Sequence, residues 1–227
     1  MGILHFLWRF KKWVGRHYWH LYSKEAFLQT LSPRPKILDV GCGNNSPQLT
    51  KTWRPDCCYV GLDVGDYNQD ASPDRIADKY ILSSSENFAS TIESLQGNFD
   101  GVISAHNIEH CDDPNGTLKA MLNALRIGGR IYLAFPSEAS VRFPSRIGTL
   151  NFYDDPTHKH VLNFEHTCRT IEISGFRIDV AVKRNRPLCL AIPGLLKEPF
   201  YALQKRVSYQ TWALYGFESI IWATRVI

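Results

Sequence analysis

Between Lys36 and Phe135 the apolar residues fall in short runs: KILDV (36–40), CCYVGLD (57–63), DRIAD (74–78), FDGVISA (99–105) and GRIYLAF (129–135). These runs read as strands, and most of the segments between them can be helical. Ile37, Leu38 and Val40, like Val102, Ile103 and Ala105, are apolar on both faces, which suits strands covered by helices on each side. Leu118, Met121, Leu122 and Leu125 recur at helical spacing, so a crossover helix is expected from Thr117 to Ile127, stopped by Gly128 and Gly129. A helix near Glu165–Ser174, a strand over Phe176–Lys183, a helix to about Gln204 and a strand near Glu218–Thr224 follow. This alternation predicts an α/β fold, doubly wound around a mostly parallel sheet.

Two segments break the rhythm. Residues 1–31 mix Trp8, Trp13, Trp19 and Tyr22 with Arg9, Lys11, Lys12 and Arg16 before Pro33 and Pro35, which reads as a basic aromatic helix followed by a turn. Such a helix either packs on the main domain, residues 32–227, or rests in a membrane interface through residues 1–22 with its basic groups toward anionic lipid. Residues from about 137 to 164 look too polar and too punctuated for core, and are expected to form a functional loop over the sheet edge.

With 227 residues, 44% hydrophobic and 21% charged, the chain can bury the core of one medium-sized domain. A net charge of +4 falls short of the focused charge of a dedicated nucleic-acid binder, and no NPPY-type or DPPY-type tetrapeptide occurs, so no nucleic acid is expected as partner. Six cysteines without a CxxC pair or a regular framework point to a reducing cytosol. Arg9, Lys11 and Lys12 interrupt the apolar start too early for a signal peptide, and no stretch is long enough to cross a bilayer. The expected location is cytoplasmic, with peripheral contact at the inner membrane face through the N-terminal segment.

The strongest chemical signal is ILDVGCGNNS, a strand running into Gly41, Cys42 and Gly43. A tight strand-to-helix turn needs residues without Cβ, and it lets main-chain amides approach a ligand. Asp63 ends the second strand, where a carboxylate can accept both ribose hydroxyls. A dinucleotide site shares these features, but at GxGxxG the third small residue would here be Ser46, with two asparagines crowding the turn. Asp39, two residues before Gly41, would repel a pyrophosphate and welcome a cation.

With VISAHNIEHCDDP (102–114) and LRIGGRIYLAFP (125–136), these motifs resemble, over about residues 35–180, the class I S-adenosylmethionine-dependent methyltransferase family. The resemblance implies a seven-stranded sheet whose last strand is antiparallel, and S-adenosylmethionine as cofactor. It places Gly41, Cys42 and Gly43 along the methionine part, Asp39 near the ammonium, Asp63 on the ribose and Asp78 against the adenine amino group. Ala105 and His106, ending the fourth strand, would also border the cofactor.

Residues just after the fourth and fifth strands should face the methyl group. Methyl transfer is an in-line displacement, so most of catalysis is alignment, but an acceptor hydroxyl must also lose its proton. A histidine suits that task. His158 ranks first, because DPTH after the fifth strand resembles a pattern in methyltransferases of polysaccharide and lipid-linked sugar pathways; His110 and His106 follow. Glu109 and His110 could instead merely cap a turn. A metal on Asp154, Asp155, His158 and His160 matches no defensible ligand spacing, so none is expected.

Arg142, Arg146, Lys159, Arg169, Lys183, Arg184 and Arg186 flank the acceptor side and would suit an anionic acceptor, or form a solvated rim. The expected partner is a small-molecule or glycan acceptor, anionic or lipid-linked. Transfer to nitrogen or to another lipid-soluble acceptor, and a non-catalytic cofactor-binding partner protein, stand as alternatives.

Overall fold

A computed structural model describes residues 22–95 and 97–227; what the sequence predicts for residues 1–21 lies outside these. Helices are α1 (Lys24–Leu28), α2 (Ser46–Trp53), α3 (Pro73–Ile76), α4 (Phe88–Ser94), α5 (Pro114–Asn123), α6 (Phe164–Ile173), α7 (Leu188–Leu203) and α8 (Tyr209–Tyr215). Strands are β1 (Lys36–Val40), β2 (Cys58–Asp63), β3 (Lys79–Leu82), β4 (Phe99–Ala105), β5 (Leu125–Pro136), β6 (Phe176–Val182) and β7 (Glu218–Arg225). They form one sheet of order β3-β2-β1-β4-β5-β7-β6. The first five run parallel, and β7 is antiparallel to both its neighbours. This is the doubly wound sheet that the sequence predicts. Its order reverses between β1 and β4, which opens a crevice at the carboxyl ends of those strands.

The two-residue period of a strand divides the core between the faces. Leu38 and Val40 turn to one face, where Phe88, Ile92, Leu118, Met121, Phe164 and Ile171 from α4, α5 and α6 cover them. Ile37 turns to the other, against Phe27, Leu28, Tyr59, Tyr132 and Trp222. Helix α1 therefore belongs to the domain: the Phe27 ring lies 5.6 Å from Tyr132 and 5.5 Å from Trp222, with no exposed surface. Arg54 fastens the chain behind it, donating to the carbonyls of Leu28, Leu31 and Ser32 and pairing with Asp56. Hydrogen bonding to Arg54 holds the Asp56 carboxyl well below the usual carboxylate range.

Three expectations need correction. DRIAD is not a strand: Ser72 and Pro73 start the short helix α3, as proline at a first helical turn favours, and the third strand is the next run, Lys79–Leu82. The crossover helix runs Pro114–Asn123 instead of Thr117–Ile127. Asp113 starts it by accepting from the Gly116 amide at 2.9 Å. It ends early because Leu125 already pairs with Phe99 in the sheet, so Gly128 and Gly129 fall inside β5.

The 137–164 region is in part core. Leu150, Phe152 and Leu162 are buried there, and its polar residues hold backbone together. Asp154 Oδ2 accepts from the amides of Arg146, Leu150 and Asn151 at 3.0, 3.0 and 2.8 Å, and Asn151 donates to the carbonyls of Val141 and Phe143. Polarity in this stretch serves buried peptide groups that secondary structure does not satisfy.

Helices α7 and α8 form a hairpin between β6 and β7. Gly194 of α7 lies so close to α8 that a Cβ there would come within 2.5 Å of the Gln210 carbonyl. Because α1 is core, Phe27→Ala is expected to lower unfolding stability by about 3–5 kcal/mol, read from the urea midpoint at unchanged slope.

Candidate active site

The turn after β1 lies in the crevice. Gly41 has φ +76°, and a Cβ on it would fall 2.4 Å from Cβ of Asn107, the second residue after β4. Only glycine allows the two strand ends to approach this closely. Asn44 and Asn45 follow at φ 54° and 58°, in the left-handed region that asparagine tolerates. The loop after β2 folds back on this turn: the Asn44 amide donates to Tyr67 O at 2.9 Å, and Gln69 Nε2 donates to Cys42 O at 2.9 Å. Cys42 is buried, and burial pushes its thiol pKa up, so it is no nucleophile.

Asp63 ends β2 beside Gly43. Its Oδ2 stands 3.7 Å from where a Gly43 side chain would begin, and its Oδ1 accepts from the Val64 amide at 2.7 Å. Burial raises its pKa, against backbone donors that lower it. Asp39 lies one layer deeper. It shares the α1 face of the sheet, and its Oδ2 accepts from Tyr59 Oη at 2.7 Å and from the Ser46 hydroxyl, with Lys24 Nζ 3.8 Å away. Burial, followed by the Asp39 charge, drives the Tyr59 phenol well above its ordinary pKa. The chain thus already supplies a cation and two donors to Asp39, which offsets the repulsion of a diphosphate expected from that residue.

Asp78 is at the wrong end of the sheet for an adenine contact. Its carboxylate accepts from the Tyr59 amide at 2.6 Å and pairs with Lys51 at 2.5 Å, at the amino ends of β2 and β3. The reason is the displaced third strand: with β3 beginning at Lys79, Asp78 enters the strand instead of leaving it.

At the reacting end, β4 stops at Ala105 beside Ala134. His106, at φ +52°, turns its ring against Trp212 and Phe217, with centroids 5.1 and 6.0 Å away. Its Nε2 meets Glu218 Oε1 at 3.1 Å and its Nδ1 lies 3.4 Å from Glu109 Oε1. Burial opposes the charged ring, but the two carboxylates outweigh it and the pKa is pushed up to about 10. A ring held as imidazolium cannot accept a proton, so His106 leaves the set of candidate bases.

His158 and His110 come together at a centroid separation of 4.7 Å. The carbonyl of Glu109 brings them there, accepting from the amides of Lys159 and His160 at 2.9 and 3.1 Å and so docking the DPTH loop on the turn that follows β4. His158 Nδ1 sits 2.6 Å from Phe152 O, which can only accept, so Nδ1 carries the proton and Nε2 is bare. Thr157 gives its hydroxyl proton to Asp155 Oδ1 at 2.6 Å and therefore accepts from His110 Nδ1 at 2.9 Å, which leaves His110 Nε2 bare in turn.

Several residues were not singled out from sequence: Asn107 against the glycine turn, Lys24 and Tyr59 on Asp39, and Tyr67 and Gln69 over Cys42. Only Asn107 carried a local signal, its place just past a strand end. Of the basic residues expected at the acceptor side, Arg146 pairs with Glu198, Lys159 with Asp112, and Lys183 with Glu138 and Glu165. Those three charges are met within the chain.

The profile of a family described as a methyltransferase domain matches residues 13–178. No curated protein matches the sequence. Among solved structures, the chain is similar to a complex between the Haloferax volcanii Trm112 methyltransferase activator and a putative methyltransferase, with TM-score 0.63, 14% identity, and coverage of 94% of this chain and 92% of that one. An Archaeoglobus fulgidus SAM-dependent methyltransferase gives TM-score 0.56 at 17% identity over 88% of this chain and 90% of that one. Phosphoethanolamine N-methyltransferase 2 of Haemonchus contortus, in complex with S-adenosyl-L-methionine, gives 0.58 at 16% identity over 88% of this chain and 50% of that one. With a matched profile over most of its length, the chain belongs to the methyltransferase domain family and is an S-adenosylmethionine-dependent methyltransferase.

Proposed function

We propose that the acceptor is a hydroxyl of a glycan-type molecule and that His158 receives its proton. One observation carries this reading: His158 is oriented by the Phe152 carbonyl with a bare Nε2, beside the buried carboxylate of Glu109. An imidazolium formed at His158 would gain from that carboxylate, 3.9 Å from Nε2, as the base in a hydrolytic triad gains from its acid. Transfer to a neutral amine needs no such base.

The residues present fit the cofactor. Gly41 leaves no room for a Cβ, and the space above Gly43 is bounded by Asp63 and Tyr67, a cradle open to main-chain contact. Gly41, Cys42 and Gly43 would hold the methionine part and Asp63 the ribose hydroxyls, with Ala105 at the strand end beside them. The cofactor supplies a methyl carbon made electrophilic by a sulfonium. As the acceptor oxygen takes up the methyl group, His158 Nε2 would receive the hydroxyl proton, with the Glu109 carboxylate beside it.

A lipid carrier for the acceptor is supported by α7. Leu188, Ile192, Leu195, Leu196, Phe200 and Leu203 are all more than half exposed along this one helix, far more apolar surface than a solvated helix carries. Its one acid, Glu198, is turned inward to Arg146 and Tyr215, while Lys197, Lys205 and Arg206 lie along and just beyond it. Apolar side chains rimmed by positive charge suit an anionic bilayer surface. Among the described residues no helix is long and apolar enough to cross a membrane.

Three outcomes follow. Gly41→Ala should weaken S-adenosylmethionine binding at least about tenfold by calorimetry, since the new methyl collides with Asn107 in a backbone conformation disfavoured for alanine. His158→Ala should slow transfer of labelled methyl to hydroxyls of a glycan panel by about 100- to 10,000-fold while leaving cofactor affinity nearly unchanged; equal loss of both would remove His158 from the chemistry. Leu196→Glu with Phe200→Glu should abolish sedimentation with vesicles containing phosphatidylglycerol, and wild type should not sediment with purely zwitterionic vesicles.

A further inference from the structure

Glu109 has no exposed surface, and neither of its carboxylate oxygens has a hydrogen-bond partner. The His106 ring, 3.4 Å from Oε1, meets part of its charge, but no donor reaches Oε2, and a buried acid with an unpaired oxygen has room for a further partner. His106 lies on one side of it, already shared with Glu218. On the other side stand His110 and His158. One ligand atom from each of Glu109, His110 and His158 lies within 4.8 Å of the other two. Both rings have Nδ1 engaged, His158 with a carbonyl and His110 with a hydroxyl, so each offers Nε2. A second ring nitrogen fixed by the protein is the usual arrangement of a metal-ligating histidine.

We infer that Glu109, His110 and His158 form a binding site for one divalent first-row transition ion, of the Zn²⁺, Mn²⁺ or Co²⁺ type. Two imidazoles and one carboxylate are the ligands such ions take, whereas Mg²⁺ and Ca²⁺ prefer oxygen throughout. Three protein ligands leave coordination positions open, as in catalytic metal sites. Ligand atoms about 2 Å from an ion stand no more than about 4 Å apart, so binding would draw the cluster in by up to about 1 Å. This set differs from the carboxylates and histidines clustered in the DPTH loop sequence. Asp154 is spent on three amides, and His160 is exposed. The ligand pattern is long-range: His158 reaches Glu109 only because the Glu109 carbonyl holds the loop.

Binding of the ion does not depend on the acceptor reading; its use does. With the ion bound, a hydroxyl at an open position would be acidified by the metal and its proton would pass to solvent, because His158 Nε2 would then be a ligand; the proton-accepting role of His158 in the proposed function belongs to the ion-free chain.

The test is calorimetric titration of the full chain, stripped with EDTA, with Zn²⁺, Mn²⁺ and Mg²⁺, together with Co²⁺ followed by visible absorption. One equivalent of Zn²⁺ or Co²⁺ is expected, with Mg²⁺ much weaker. Glu109→Gln, His110→Ala and His158→Ala should each weaken Co²⁺ binding at least about tenfold, and His160→Ala should leave it unchanged. Circular dichroism checks folding, and His110→Ala, at a half-buried position, keeps the test decisive should the Glu109 variant not fold. Absence of binding, or binding in the His110 and His158 variants as tight as in wild type, overturns the site. Binding without methylation of any glycan hydroxyl would sink the acceptor reading alone, whereas EDTA-resistant methylation by a chain that binds no ion would sink the metal alone.

Discussion

A carboxylate that water cannot reach must be met by the protein, and at the acceptor end of this sheet the other groups are arranged around that requirement. Glu109 contributes in two ways. Its carbonyl accepts two amides from the DPTH loop and so fixes where His158 stands; its side chain is approached by His106 and His158. Backbone docking and side-chain charge therefore act on the same loop from the same residue. Removing water from this end also raises the strength of every electrostatic contact within it. The His106 imidazolium is held between two acids, whose attraction outweighs the burial that opposes its charge.

Much of the fold could be read from short apolar runs, because strands buried on both faces leave an unambiguous imprint. The glycine turn was legible for a related reason: a backbone that must cross another strand end at contact distance permits few residues, and Gly41 is where the constraint falls. Legibility failed where local pattern and tertiary context disagreed. DRIAD has the look of a strand, yet Pro73 begins a helical turn, and the shift of one short element carried Asp78 to the opposite end of the sheet. Residues 137–164 look like surface because polarity was equated with solvent, whereas Asp154 and Asn151 bind buried peptide groups.

The acceptor end was half legible. Glu109, His110 and His158 stand out as residue types, but their meeting depends on hydrogen bonds between distant segments, as in the contact of Thr157 with His110, 47 positions apart in the chain. Nothing in local spacing announces that. Lys24 and Tyr59 on Asp39 are hidden for the same reason: one comes from α1 and the other from β2, and only the shared sheet face unites them. The α7–α8 hairpin shows the converse. The sequence marks a helix to about Gln204 but not which way its apolar positions turn, and in α7 Leu188, Ile192, Leu195, Leu196, Phe200 and Leu203 face outward.

The placement of β7 has a consequence for the order in which the molecule can assemble. This strand, the last in sequence, fills the gap between β5 and β6 and pairs with both in the reverse direction. Until residues 218–225 have left the ribosome, those two strands each present a bare edge, and Trp222 is missing from the cluster around Phe27. Closure of the sheet thus waits for residues 218–225, and the nascent chain must carry two templates for wrong pairing until they emerge.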